Sequence, residues 1–328
     1  MSKHSLKLLL SLVVAVMALG VVGPVAADSD DVVRFATLPK PGPGHPEGIA
    51  ADTAGNIYVA TFDFTQPNVI YVFTRHGELA TTISVPGAPL GLEFDAAGRL
   101  YVANFGGGNV LRFDAPFNSG SLPAHTFPVC GGFPVCALNA ITFDASGDLY
   151  VSDSFGGNVF KIDLPAGTVS TFLADELLKP GSHGFPPFGA NGLAFDAAGN
   201  LYIANTADDR ILKYDAATKK LGTFAESVNG ADGIAFDRRG RLWVAANQAD
   251  EVVALNAKGR VVERRGSFRG VGKDGAARGL LFPASIVISR GSLYVTNTAL
   301  ALTPAVGDEP EEDVTTFTVS RIPLEGDD

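Results

Sequence analysis

Residues 191–205 read NGLAFDAAGNLYIAN. A short apolar run, GLAF, meets Asp196-Ala-Ala-Gly199, a tight-turn signal, and LYIA follows as an alternating run rich in β-formers. That is the signature of two antiparallel strands and the hairpin between them. The pattern recurs as EGIAADTAGNIYVAT (47–61), LGLEFDAAGRLYVAN (90–104), NAITFDASGDLYVSD (139–153) and DGIAFDRRGRLWVAA (232–246). A degenerate sixth copy is ASIVISRGSLYVTN (284–297). Third strands follow, as NVLRFD (109–114), NVFKID (158–163), RILKYD (210–215) and EVVALN (251–256), and weaker fourth strands such as ATTISV (80–85). The turn aspartates Asp52, Asp95, Asp144, Asp196 and Asp237 are 43, 49, 52 and 41 residues apart, which suits one four-stranded sheet per repeat.

A lone four-stranded sheet cannot bury both faces, whereas radial stacking can. Six units predict an all-β, six-bladed β-propeller of four-stranded antiparallel blades. The last copy has a third strand, TTFTVSRI (315–322), but no room for a fourth, so the N-terminal VVRFATL (32–38) is expected to close the last blade. Trp243 stands where other copies have Tyr58, Tyr101, Tyr150, Tyr202 and Tyr294, and reads as inter-blade core. The turn aspartates read as structural, because their carboxylates can accept turn amides.

Residues 1–27 read as a signal peptide: Lys3 and Lys7, an apolar stretch from Leu8 to Val22, and small residues at Val25-Ala26-Ala27. The expectation is export, to the periplasm or the medium, followed by a single propeller domain over 28–328. The formal charge of −10, which becomes more negative without Lys3 and Lys7, gives no support to nucleic acid binding. No basic amphipathic stretch suggests a membrane-surface helix, and a monomer is the expected state. The two cysteines, Cys130 and Cys136 in CGGFPVC, are expected to form a local disulfide in an oxidising compartment.

Aligning the copies on their turn aspartates and stepping back five residues gives Glu47, Leu90, Asn139, Asn191 and Asp232, with Ser285 or Ala284 in the sixth. These positions open the innermost strands and should converge at one channel mouth. Two carboxylates and two amides suit a hard cation, calcium above all. Zinc is less natural without histidine. The long, varied loops 61–69, 104–109, 115–136, 153–158, 171–188 and 298–314 are expected on the same face. They carry Phe62, Phe64, Phe105, Phe155, Phe185 and Phe188, and an apolar or aromatic small-molecule substrate would follow if several line the pocket. His45 and His183 are expected near the mouth, as candidate proton shuttles. Arg210 fits either an anionic ligand or a solvated position. The acidic run Asp308–Asp313 reads as a solvated excursion.

The repeats resemble NHL-type propeller repeats, and the chain from about 32 to 323 resembles the superfamily of gluconolactonase, regucalcin, paraoxonase and diisopropyl fluorophosphatase. That resemblance rests on Glu47 in HPEG, Asn139 in ALNA, Asn191 in GANG and Asp232 in GADG, which follow the group's metal-ligand order. It implies a divalent ion, most often Ca2+, and hydrolysis of lactones or related esters, with Asp232 as general base or nucleophile. Sugar-lactone members tend to carry an Arg two residues before the third-blade Asn. Here Ala137 stands there, so a sugar acid is not supported, and the histidine pair of the paraoxonase branch is not evident. Two alternatives stand beside the hydrolase. One is a noncatalytic propeller binding a protein, peptide or glycan around a structural ion. The other is a strictosidine-synthase-like or lyase reaction on the same platform.

Overall fold

The structure is a computed structural model, and it describes residues 32–63, 65–182, 186–302 and 309–324. The expected signal segment, Phe64, His183 and Phe185 lie outside them. Six four-stranded antiparallel sheets form the blades of a propeller. Their innermost strands are Pro46–Ala51, Pro89–Phe94, Leu138–Phe143, Ala190–Phe195, Ala231–Phe236 and Pro283–Ser289, which number blades 1 to 6. The sixth sheet is completed from the other end of the chain: Val33–Thr37 pairs antiparallel with Thr318–Pro323. The closure expected from VVRFATL is therefore present. One element was not legible in the repeats: a two-stranded ribbon, Phe268–Val271 with Ala277–Gly279, lies between blades 5 and 6.

The second strand of each blade is covered on both faces, so IYVAT, LYVAN, LYVSD, LYIAN and LWVAA are buried throughout. This is why they read as near-continuous apolar runs. Their aromatic residue packs edge-on against the inner-strand Phe of the following blade: Tyr58 on Phe94 at 4.8 Å, Tyr150 on Phe195 at 4.9 Å and Tyr202 on Phe236 at 5.1 Å. The same tyrosines reach the turn aspartates, as Tyr150 Oη does to Asp144 at 3.1 Å. Trp243 is fully buried and donates Nε1–H to Asp237 Oδ2 at 2.9 Å. Aspartate and ring thus tie the hairpins that carry both to the blade interface, as expected, while the sixth hairpin turns at Ser289-Arg290-Gly291 without an aspartate.

Strand direction puts the starts of the innermost strands, the loops between second and third strands, and the inter-blade loops at one end of the channel. One loop expected there divides. Residues 114–124 join the third strand of blade 2 (Asn109–Phe113) to its short fourth strand (His125–Pro128) and so belong to the opposite end. Only the stretch after Pro128, which holds the cysteines, reaches the mouth. The two cysteines are bonded to each other.

Candidate functional site

Each innermost strand slips register by one residue near its start. In blade 5, Ala231 faces Ala246 but Ile234 faces Val244. The same slip follows Pro46, Pro89, Leu138, Ala190 and Pro283. A bulge of this kind turns a side chain out of the pleat. The residue it turns is the one selected by alignment: Glu47, Leu90, Asn139, Asn191, Asp232 and, by the pairing of Pro283 with Asn297, Ala284 rather than Ser285. Glycine follows in four of the six copies because the next blade's backbone lies against it. A Cβ on Gly48 would overlap the carbonyl oxygen of Leu90, and one on Gly192 that of Asp232.

The predicted quartet does come together. Glu47, Asn139, Asn191 and Asp232 are all buried, and all line one narrow pocket with Leu90 and Ala284. Its free space is about 50 Å³, room for an ion and a few waters. Phe62, Phe105, Pro186, Phe188, Phe282, Leu300 and Leu302 form its apolar walls.

The amides are oriented by hydroxyls. Asn139 Nδ2 donates to Ser154 Oγ at 3.1 Å, and Asn191 Nδ2 to Thr206 Oγ1 at 3.0 Å. Those hydroxyls already donate to Ala190 O (2.8 Å) and Ala231 O (2.7 Å) in the next blade, so they can only accept from the amides. The nitrogen end is thereby identified, and the oxygen is the end available to a cation. Asn247 Nδ2 donates to Asp232 Oδ2 at 3.0 Å. Glu47 Oε2, Asp232 Oδ1 and Asn247 Oδ1 are buried without a hydrogen-bond partner among the described residues.

Burial raises the pKa of Asp232 to about 7, against the hydrogen bonds from Asn247 and Asn191 that favour its charge. Burial, and then the negative charge of Asp232, push Glu47 well above the usual carboxylate range. Two desolvated carboxylates with idle oxygens beside oriented amides are a donor set for a hard cation. Among the described residues no group of three or more His, Cys, Asp or Glu side chains is disposed to hold a metal, so amide oxygens would have to complete the shell.

Asn247 was not among the expected residues. It sits 15 residues after Asp232, in a column that reads Phe62, Phe105, Ser154, Thr206, Asn247 and Thr298 across the copies. The repeat alignment stopped one residue short of it. His45 lies beside the mouth but outside the pocket lining: Nδ1 faces Thr298 O at 3.0 Å, and the ring packs on Phe317 at 4.6 Å. Those contacts hold it away from the carboxylates. Arg210 is tied to Asp208 at 2.7 Å and to Leu177 O at 3.0 Å, and does not line the pocket. Ala137 is buried, with no cationic side chain at that point of the mouth.

A family model described as "SMP-30/Gluconolactonase/LRE-like region" matches residues 188–265, a span holding Asn191, Asp232 and Asn247. No curated protein matches the sequence. Among solved structures the chain is similar to a luciferin-regenerating enzyme, with 16% identity, a TM-score of 0.65, and 90% of this chain and 95% of that one covered. It is similar to a calcium-binding protein, regucalcin, from Agrobacterium tumefaciens str. C58, with 18% identity, a TM-score of 0.61, and 89% and 96% covered. A streptogramin B lyase gives 14%, 0.59, 90% and 97%. Likeness at such identities carries the fold and not the chemistry. The chain is a six-bladed propeller, and residues 188–265, in its fourth and fifth blades, match the SMP-30/Gluconolactonase/LRE-like region.

Proposed function

We propose that this protein is an exported, divalent-cation-dependent hydrolase of lactones or related esters, acting at the channel mouth. The observation that carries the reading is the buried pair Glu47 and Asp232, each with an oxygen that no hydrogen bond satisfies among the described residues. Glu47, Asp232 and the oxygens of Asn139 and Asn191 would hold the ion, Ca2+ by its preference for such donors. When bound, the ion supplies Lewis acidity toward a carbonyl oxygen.

The chain's own groups do the rest. Asn247 holds Asp232 by Oδ2, so Oδ1 is the oxygen that would both face the ion and, through its second lone pair, accept a proton from water. The water oxygen bonds to the acyl carbon, the ester C–O bond breaks, and the proton taken by Asp232 passes to the leaving oxygen, which restores the carboxylate. The phenylalanine walls exclude bulk water and favour substrates that are apolar around the carbonyl. The test is a panel of lactones and aryl esters assayed with calcium and with chelator. Hydrolysis in neither condition would remove the enzymatic reading.

A second reading has its own support. With about 50 Å³ free, the pocket admits an ion more readily than a whole ester. A noncatalytic propeller with a structural ion fits that restriction. It predicts calcium binding without turnover.

A further inference from the structure

The disulfide loop lies between the last strand of blade 2, which ends at Pro128, and the first strand of blade 3, which starts at Leu138. Phe133, in its centre, is 58% exposed, and Val135 in the same loop is 72% exposed. The loop is nevertheless pinned. Val129 N and Cys130 N donate to Gly108 O at 2.9 and 3.0 Å, and Phe133 N donates to Gly106 O at 3.3 Å. Gly108 has a positive φ and touches the backbone of Gly132, an approach that a side chain would block. The glycine turn that follows Phe105 is therefore the seat on which the cystine loop rests.

That seat aligns the rings. Phe133 lies face-on to Phe105 at 5.9 Å and also meets Phe155 at 5.9 Å. Phe155 stacks on Phe188 at 5.6 Å, with planes 11° apart, and Phe62 meets Phe105 at 5.7 Å. Phe62, Phe105 and Phe188 line the pocket that holds Glu47 and Asp232, whereas Phe133 stands at its solvent edge. A series of ring contacts thus runs from the lining of the carboxylate pocket to bulk water.

We propose that this surface is a binding subsite for the apolar tail of a ligand, and that the Cys130–Cys136 loop sets its outer limit through Phe133. Resting on the hydrolase reading, it names the substrate class: esters or lactones whose acyl or aryl tail extends outward across Phe105 to Phe133. The arrangement answers the narrowness of the pocket, because only the reacting carbonyl has to enter.

The experiment pairs turnover with a binding measurement that needs no turnover. In wild type and Phe133→Ala, KM is measured for 4-nitrophenyl acetate and 4-nitrophenyl decanoate, and the fluorescence of N-phenyl-1-naphthylamine is titrated in calcium and in chelator. The expected result is about a tenfold rise in KM for decanoate, acetate unchanged, and about tenfold weaker dye binding. Phe133→Leu should recover much of both. Phe133 is exposed, so neither substitution threatens the fold. Unchanged decanoate KM and unchanged dye binding would overturn the subsite. Dye binding that depends on Phe133 in a protein that hydrolyses no ester would retain the subsite and discard the hydrolase.

Discussion

Calcium should stabilise the protein, and Glu47→Gln should cancel the effect while making the cation-free protein more stable. Holding Asp232 at about 7 rather than the ordinary 3.8 corresponds to on the order of 4 kcal/mol lost when it ionises at pH 8 without a counter-charge. Glu47 adds to that loss, being buried beside the same charge. A ligand at a hundred times its dissociation constant returns about 2.7 kcal/mol by mass action. For a domain of this size that is about 4 °C in Tm. Neutralising one of two buried like charges removes its desolvation cost and its repulsion on the other, so the cation-free variant should gain stability. The assay is thermal unfolding at pH 8 of wild type and Glu47→Gln, each with chelator and with calcium, magnesium or manganese. The expected order is chelated wild type lowest, calcium-loaded wild type raised, and Glu47→Gln above chelated wild type and indifferent to calcium. A wild type that no divalent ion shifts would refute the cation site, leaving the carboxylates as a pair sharing a proton.

The same pair predicts a pH dependence. Both carboxylates are raised in the folded state, so native protein retains protons that the unfolded chain has released. Their contribution is therefore most favourable below the ordinary carboxylate range and declines as pH rises toward about 7. Urea midpoints of chelated protein should fall across that window, and calcium should flatten the fall. Asp232→Ala should abolish hydrolysis by about a thousandfold or more with circular dichroism unchanged, whereas retained turnover would remove Asp232 from the mechanism. Asn247→Ala should weaken calcium about 10–100-fold in a titration, because Asp232 Oδ2 loses its donor. Gly48→Ala should lower stability by about 2 kcal/mol or more in denaturant unfolding, since its methyl overlaps the Leu90 carbonyl.

The blades were legible because each repeat states its own hairpin. Asp196-Ala-Ala-Gly199 turns the chain, and buried runs such as LYIAN follow from stacking. The quartet was legible because function needs residues that differ where structure needs residues that repeat. The bulge that aims them was not, since a register slip belongs to two strands at once and leaves only the following glycine as a trace. Asn247 was missed because its role depends on a neighbour 15 residues away, and Phe133 because its meaning comes from a cystine loop seated on another turn. His45 shows the opposite limit. Adjacency to Glu47 in sequence does not fix direction, and its backbone and Phe317 turn it elsewhere.

The way the ring is sewn has a consequence for when the site comes into being. Glu47 belongs to blade 1 and Asp232 to blade 5, and the blade between them is the one stitched from both ends of the chain. Blade 6 joins the two: Thr296 Oγ1 donates to Glu47 O at 2.8 Å, and Val33–Thr37 pairs with Thr318–Pro323 at the outer edge of the same blade. Closing the ring brings like charges toward each other at the seam, so ring closure works against electrostatics unless a cation is at hand. Calcium would then act as the clasp of the ring as much as its cofactor, and calcium affinity would report whether the final blade has been completed.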